Sequence, residues 1–182
     1  SMVQGVDAGV DAAIFLGYHA RAGSLHAVLD HTWSSVRVAN LWLNGRLTGE
    51  FGLNGAVCGE LGIPVIMVSG DQTVCAEARE WAPGVATAQV KTAAGRYAAD
   101  CLPFEVSRKL ITDTAKQAVS AYVNKKSPAP IKMNLPVTVT IEFFHSNMGD
   151  QACLLPGSKR LDGRRIEFTA DTMVNAYLGF RA

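Results

Sequence analysis

The sequence predicts an α/β fold: a layered α/β portion with mostly parallel buried strands, followed by an α+β domain. Three observations carry that prediction. Residues 12–18 form a short, continuous apolar run, the pattern of a strand buried on both faces. From there to Pro83-Gly84, short apolar runs alternate with helical spacing in the order strand, helix, strand, helix. Beyond that point come a long amphipathic stretch and runs with strict two-residue alternation, as in a half-buried sheet covered by helices on one face. The expected division is a partial α/β domain at 1–84, carrying the candidate site residues, and an α+β domain at 85–182. The last strand and helix of the second could pack back on the first.

In chain order, His19 follows the first run directly, and a polar, glycine-containing loop leads on to His31. Residues 36–48 hold two β-prone runs around Asn44-Gly45, a strong hairpin signal. At 49–61 the period changes: Leu53, Ala56, Val57 and Leu61 fall at helical spacing, and Gly62 and Pro64 supply the stop. Residues 64–69 read as another short buried strand. Asp71 then caps a helix carrying Val74, Cys75 and Ala78. Residues 85–90 read as a strand and 106–125 as the longest helix, with Val106, Leu110, Ile111, Ala118, Val119 and Tyr122 on one face. Asp113 and Lys116 are spaced to pair on its exposed side. Ser127-Pro128-Ala129-Pro130 is the only linker-like stretch. Residues 135–144 alternate, with Val137, Val139, Ile141 and Phe143 on one face; 164–169 alternate with Ile166 and Phe168 inward; a helix over 172–178 closes the chain.

With 48% hydrophobic residues and 18% charged, the chain has the composition of a folded protein with a sizeable core. A net charge of +1 without a basic block argues against a nucleic-acid or anionic-membrane partner. Cys58, Cys75, Cys101 and Cys153 lie in apolar stretches with no Cys-x-x-Cys spacing, so four buried, reduced thiols and a cytoplasmic location are expected. No cysteine sits where its pKa would be lowered, which argues against a Cys–His hydrolase.

The ionisable residues worth weighing cluster in the first third. His19 ends a buried strand, where ligands of open α/β sheets bind. His31 lies in the following loop, and Glu50 opens a helix, where the dipole favours a carboxylate. Two histidines and a glutamate form a donor set that zinc accepts. Their spacings of 12 and 19 residues match no short metal motif, however. The plainer reading of the same residues is a hydrogen-bonded structural His19, a loop His31 and a dipole-compensating Glu50.

Three strings give that set a context: Phe15-Leu-Gly-Tyr-His-Ala-Arg-Ala22, Leu29-Asp-His-Thr-Trp-Ser34 and Gly49-Glu-Phe-Gly-Leu-Asn54. In this order, with Ile63-Pro-Val-Ile-Met-Val-Ser-Gly-Asp71 and Val90-Lys-Thr92 in register, they resemble the zinc-dependent D-aminopeptidases of the DppA (dipeptide transport operon) type. The portion after Lys125 fits more loosely. The resemblance implies that His19 and Glu50 are two ligands of a two-zinc centre and that His31 is the catalytic histidine. It also implies hydrolysis of N-terminal D-residues from short peptides such as D-alanyl-D-alanine, and a ring-shaped homo-oligomer.

The chain departs from that pattern in one respect. The family's Asp-x-Glu pair, at the end of a first strand, and a further histidine have no counterpart ahead of His19; Asp7 and Asp11 fit neither. The expectation is therefore a chain that begins partway through the protein, inactive without the N-terminal segment that completes the site. Ser1-Met2 could instead be a scar before an initiator Met. The alternative function is a non-catalytic peptide-binding or oligomer-assembly domain that keeps the fold without a complete metal centre. Asn54, one turn after Glu50, and His145, after a strand, are further candidates for substrate binding. His26 reads as a solvated loop histidine; Arg96 matches an Arg of the family's Lys-Gln-Thr-Ile-Ser-Arg stretch and reads equally as half of a surface ion pair; Trp33 reads as packing over the loop around His31, with plain anchoring of that loop as the alternative.

Overall fold

Parallel strands cannot be joined by a tight turn, so each crossover between them must carry other elements. The computed structural model, which describes residues 2–182, shows two such crossovers in its first sheet. Ser1, and with it half of the Ser1-Met2 start, lies outside the described residues. Between β1 (Ala13–Tyr18) and β4 (Val65–Asp71) come the hairpin β2 (Val38–Leu43) and β3 (Arg46–Thr48) and helix α1 (Glu50–Glu60). Helix α2 (Gln72–Trp81) joins β4 to β5 (Ala86–Gly95), and β6 (Ala98–Cys101) returns antiparallel. The sheet order is β1-β4-β5-β6, with Phe15 opposite Val68 and Val68 opposite Thr87.

The second sheet is antiparallel, in the order β3-β2-β7-β9-β8. Its later strands are β7 (Val137–Phe143), β8 (Lys159–Arg160) and β9 (Arg165–Ala170). Leu41 faces Ile141 and Ile141 faces Ile166, so the inward residues form a continuous apolar row. This sheet draws strands from both sides of residue 84. The hairpin turn has Asn44 at φ 48° and Gly45 at φ 77°, the left-handed pair that a two-residue turn needs to match strand twist.

Between the two sheets runs α1, with every residue from Glu50 to Gly59 buried. One apolar cluster joins Phe15, Val65 and Val68 of the first sheet, Leu53 and Val57 of α1, and Leu41, Val139 and Ile166 of the second. The glycines of α1 reflect this crowding. A Cβ on Gly59 would lie 1.8 Å from the Ile131 carbonyl oxygen, so the chain passes the helix at backbone contact. On the far face of the first sheet lies α3 (Phe104–Val123), packing Leu110, Ile111, Ala118 and Tyr122 over Ile66, Met67 and Ala88. The helices α4 (Ser146–Ala152) and α5 (Met173–Arg181) complete the chain, and Thr172 caps α5 through Asn175 N–H at 3.0 Å.

Four expectations are corrected. The first apolar run is not buried on both faces: Ile14 is 38% and Leu16 59% exposed while Phe15 is buried, because α3 packs over β4 and β5 and leaves that face of the edge strand β1 uncovered among the described residues. Val106 and Val119 are exposed, the packed stripe of α3 being narrower than its apolar stripe. Asp113 takes its hydrogen bond from Lys109, four residues earlier, at 2.5 Å, not from Lys116. Cys58 and Cys75 are buried, and burial pushes both thiols up to about 11. Cys101, on the outer strand β6, is exposed, and Cys153 is half-buried.

Candidate functional site

The site is organised by the segment that leaves β1 and returns to the entry of α1. Its backbone has few regular partners and is instead tied down by side chains. His31 N–H donates to the Ala20 carbonyl at 3.1 Å, and Ala22 N–H to the Thr32 hydroxyl at 3.1 Å. Gly23 N–H donates to Asp30 Oδ2 at 2.7 Å, and Arg96 clamps Asp30 from the β5–β6 turn. Leu29 and Trp33, on either side of His31, hold φ of 50° and 65°. Left-handed conformations at such residues cost about 1–3 kcal/mol each, so this network must over-determine the loop.

His19 and His31 are thereby brought together, their ring centroids 5.2 Å apart. The Nδ1–H of His19 donates to the Val28 carbonyl at 2.8 Å, and this tautomer leaves the Nε2 lone pair free as a ligand. Val28 is itself fixed, since its N–H donates to Asp71 Oδ2 at 2.7 Å. The other oxygen of Asp71 caps α2, accepting from Thr73 N–H at 3.0 Å and Val74 N–H at 2.9 Å.

Glu50 enters from the first turn of α1 and is 6% exposed. Its Oε1 accepts the Trp33 N–H at 3.0 Å and lies 3.4 Å from His31 Nε2. His31 Nδ1 lies 2.6 Å from the Leu29 carbonyl oxygen. Both ring nitrogens of His31 thus face acceptors. The hydrogen bond with Glu50 raises the His31 pKa above its ordinary value, opposed in part by burial.

Asn54 is fully buried one turn below Glu50, and its Nδ2 donates to the Tyr18 hydroxyl at 3.0 Å. Its Oδ1 has no partner among the described residues. Burial pushes the Tyr18 phenol well up, against the Asn54 hydrogen bond. His145 stands elsewhere, exposed at the start of α4, with no hydrogen bond, ion pair or ring contact to the other candidates among the described residues. Trp33 packs edge-on against Tyr177 and Phe180 at 5.9 and 5.8 Å, anchoring the loop to α5. Its side chain also lines a groove of about 780 Å³ between the second sheet, α4 and α5.

Sequence reasoning located the chemically distinctive side chains but missed those that hold them. Asp71 was legible as a helix cap, but nothing in its neighbourhood shows that its second oxygen reaches Val28, 43 positions away. Thr32, Asp30 and Arg96 were missed as loop anchors for the same reason.

The donor set suits zinc in kind: a neutral His19 with a free Nε2, and a Glu50 whose Oε2 is left open by the contacts made at Oε1. In number it is partial. Zinc sites take three or four protein ligands, and among the described residues no group of three or more His, Cys, Asp or Glu could hold a metal ion.

The chain is similar to known proteins over its whole length. A family described as D-aminopeptidase matches residues 1–182. A D-aminopeptidase of Bacillus subtilis (strain 168) is 36% identical over 178 residues, which cover 97% of this chain and 63% of the relative. The solved structure of the Zn-dependent D-aminopeptidase DppA from Bacillus subtilis, a self-compartmentalizing protease, matches with a TM-score of 0.93 at 35% identity. That match covers 100% of this chain and 65% of the other. The chain therefore spans less than two thirds of the length of these relatives. The family match extends over the whole chain, and the chain belongs to the D-aminopeptidase family.

Proposed function

We propose that this chain carries the catalytic histidine and part of the metal site of a zinc-dependent aminopeptidase that removes N-terminal D-amino acids from short peptides or amides. The observation that supports this best is the convergence of His19, His31 and Glu50, from three separate stretches of sequence, onto one partly buried spot. His19 through Nε2 and Glu50 through Oε2 are two zinc ligands. The remaining ligands belong to the part of the relatives' length that this chain does not span. Bound zinc would supply a nucleophile at neutral pH and polarise the scissile carbonyl.

The chain's own contribution is proton handling and positioning. His31 faces an acceptor at each ring nitrogen, and the neighbouring Glu50 raises its pKa, which favours the protonated, donating form over a nucleophilic one. In that arrangement it protonates the leaving amine or stabilises the oxyanion. Asn54, enclosed beneath Glu50, acts on substrate binding through Tyr18 and Glu50, and His145 is a contact farther along a bound peptide. The exposed apolar residues Phe104, Val106, Val119 and Val123 on α3 support assembly with further copies into a closed oligomer that admits only short peptides. No described helix is long and apolar enough to cross a membrane, and a cytoplasmic location is part of the proposal.

The test is release of D-alanine from D-alanyl-D-alanine by the full-length protein, with L-alanyl-L-alanine alongside and a chelator control. Zinc-dependent cleavage of the D-peptide supports the reading. Peptide binding without cleavage of either peptide, in protein fully loaded with zinc, would favour the non-catalytic alternative.

A further inference from the structure

Glu77 is the buried carboxylate that the site described above does not use. It lies in the middle of α2, is 9% exposed, and forms no salt bridge among the described residues. Val74, Ala78 and Trp81 of its own helix are buried beside it, and the charge of Glu80, one turn on, also disfavours its ionised form. Burial raises its pKa, while the amides of Arg21 and Gly49 and the charge of Arg21 pull it back down. An apolar residue here would avoid the desolvation cost of a carboxylate.

What an apolar residue could not do is hold the chain segments that meet at this point. Glu77 Oε2 accepts the Arg21 N–H at 2.9 Å, two residues beyond His19. On the other side stands Gly49, the residue immediately before Glu50 and the N-cap of α1, which has no side chain with which to cap the helix. A Cβ on Gly49 would lie 2.7 Å from Glu77 Oε1, 2.8 Å from the Arg21 Cβ and 2.9 Å from the Arg21 Cα. Oε1 makes no well-formed hydrogen bond, so the Gly49 amide acts on it electrostatically, at the positive end of the α1 dipole. The loop carrying His19, the entry of the helix carrying Glu50, and α2 therefore touch with no room for another methyl group.

We propose that Glu77 is a positioning residue for the site: its carboxylate ties the segment after His19 to the segment before Glu50 and so sets the separation of those two side chains. Asp71, the N-cap of α2, fixes the same loop at Val28, and Glu77, in the middle of that helix, fixes it at Arg21. The inference rests on the zinc-peptidase reading only for its activity readout.

The test compares Glu77→Leu, Glu77→Gln and Val74→Ala in the full-length protein. Val74 is fully buried on the same helix and packs against Gly70, so its truncation reports loss of packing alone. Three quantities are read: zinc affinity by chelator competition, kcat and KM on D-alanyl-D-alanine, and the His19 ring-nitrogen shifts of zinc-free protein by NMR. Glu77→Leu is expected to weaken zinc binding and lower kcat by about 10- to 100-fold, with KM within about threefold of the parent. It is also expected to blur the Nδ1–H tautomer of His19. Glu77→Gln keeps an acceptor for Arg21 N–H and should restore most of the loss, whereas Val74→Ala should lower thermal stability and leave all three readings unchanged. Equal effects of Glu77→Leu and Val74→Ala, matched for stability, would overturn the positioning role. A parent protein that binds no zinc and cleaves nothing, but shows the same His19 response to Glu77→Leu, would refute the peptidase reading and support the positioning role.

Discussion

Replacement of Asp71 tests whether the His19 loop is held by a buried carboxylate. Asp71 is fully buried and accepts three backbone N–H groups, two at the start of α2 and one from Val28. Losing the cap costs about 1 kcal/mol. Leaving the Val28 amide without its charged acceptor costs about 1.5–3 kcal/mol more. Asp71→Ala should therefore destabilise the protein by about 2.5–4 kcal/mol, a fall in Tm of roughly 5–16 °C for a chain of this size. Asp71→Asn separates the two roles. Its single oxygen can still cap α2, but its amide then turns a donor toward the Val28 N–H. A loss of about 1–2 kcal/mol is expected, with a selective loss of hydrogen-exchange protection at Val28. Urea unfolding with amide exchange gives both numbers. An Asp71→Ala variant that loses under about 1 kcal/mol, or an Asp71→Asn variant with Val28 fully protected, would refute the reasoning.

Three further outcomes are expected. Gly59→Ala places a methyl group against the Ile131 carbonyl and should cost about 1–3 kcal/mol or more in urea unfolding; a neutral result would mean that α1 and the chain at Ile131 separate easily. Phe51→Ala removes a fully buried ring that meets Phe15 edge-on at 5.6 Å, and should cost about 3–5 kcal/mol by the same measurement. Burial raises the Glu77 pKa in the folded protein above the ordinary carboxylate value, so the folded protein holds that proton more tightly than the unfolded chain. Its contribution is greatest below the unfolded pKa and is lost as pH rises through the folded one; stability measured from about pH 4 upward should fall less in Glu77→Gln than in the parent, and identical pH profiles would contradict this.

The sequence made the elements legible wherever period and turn chemistry agreed. Asn44-Gly45 predicted its hairpin, Asp71 its helix, and the alternation of Val137, Val139 and Ile141 an inward-facing strand face. It misread β1 because an apolar run reports composition, not neighbours: Ile14 and Leu16 belong to an edge strand among the described residues. Strand β6, helix α4 and the two-residue β8 escaped because they are short, and nothing in their patterning exceeds that of a loop. Of the site, His19, His31 and Glu50 stood out by residue type and motif. The bonds that fix them run from Val28 to Asp71 and from Arg21 to Glu77 across 43 and 56 positions, and only the folded chain makes such pairs visible.

The central claim is that His31 acts on the substrate while His19 and Glu50 hold the metal. Its most direct test is D-alanine release by the full-length protein and its His31→Ala variant, with zinc content measured on the same samples. Turnover should fall by about 100-fold or more in the variant while zinc content stays at the parent's level. Turnover like the parent's would contradict a catalytic His31, and loss of zinc together with activity would make His31 a ligand instead.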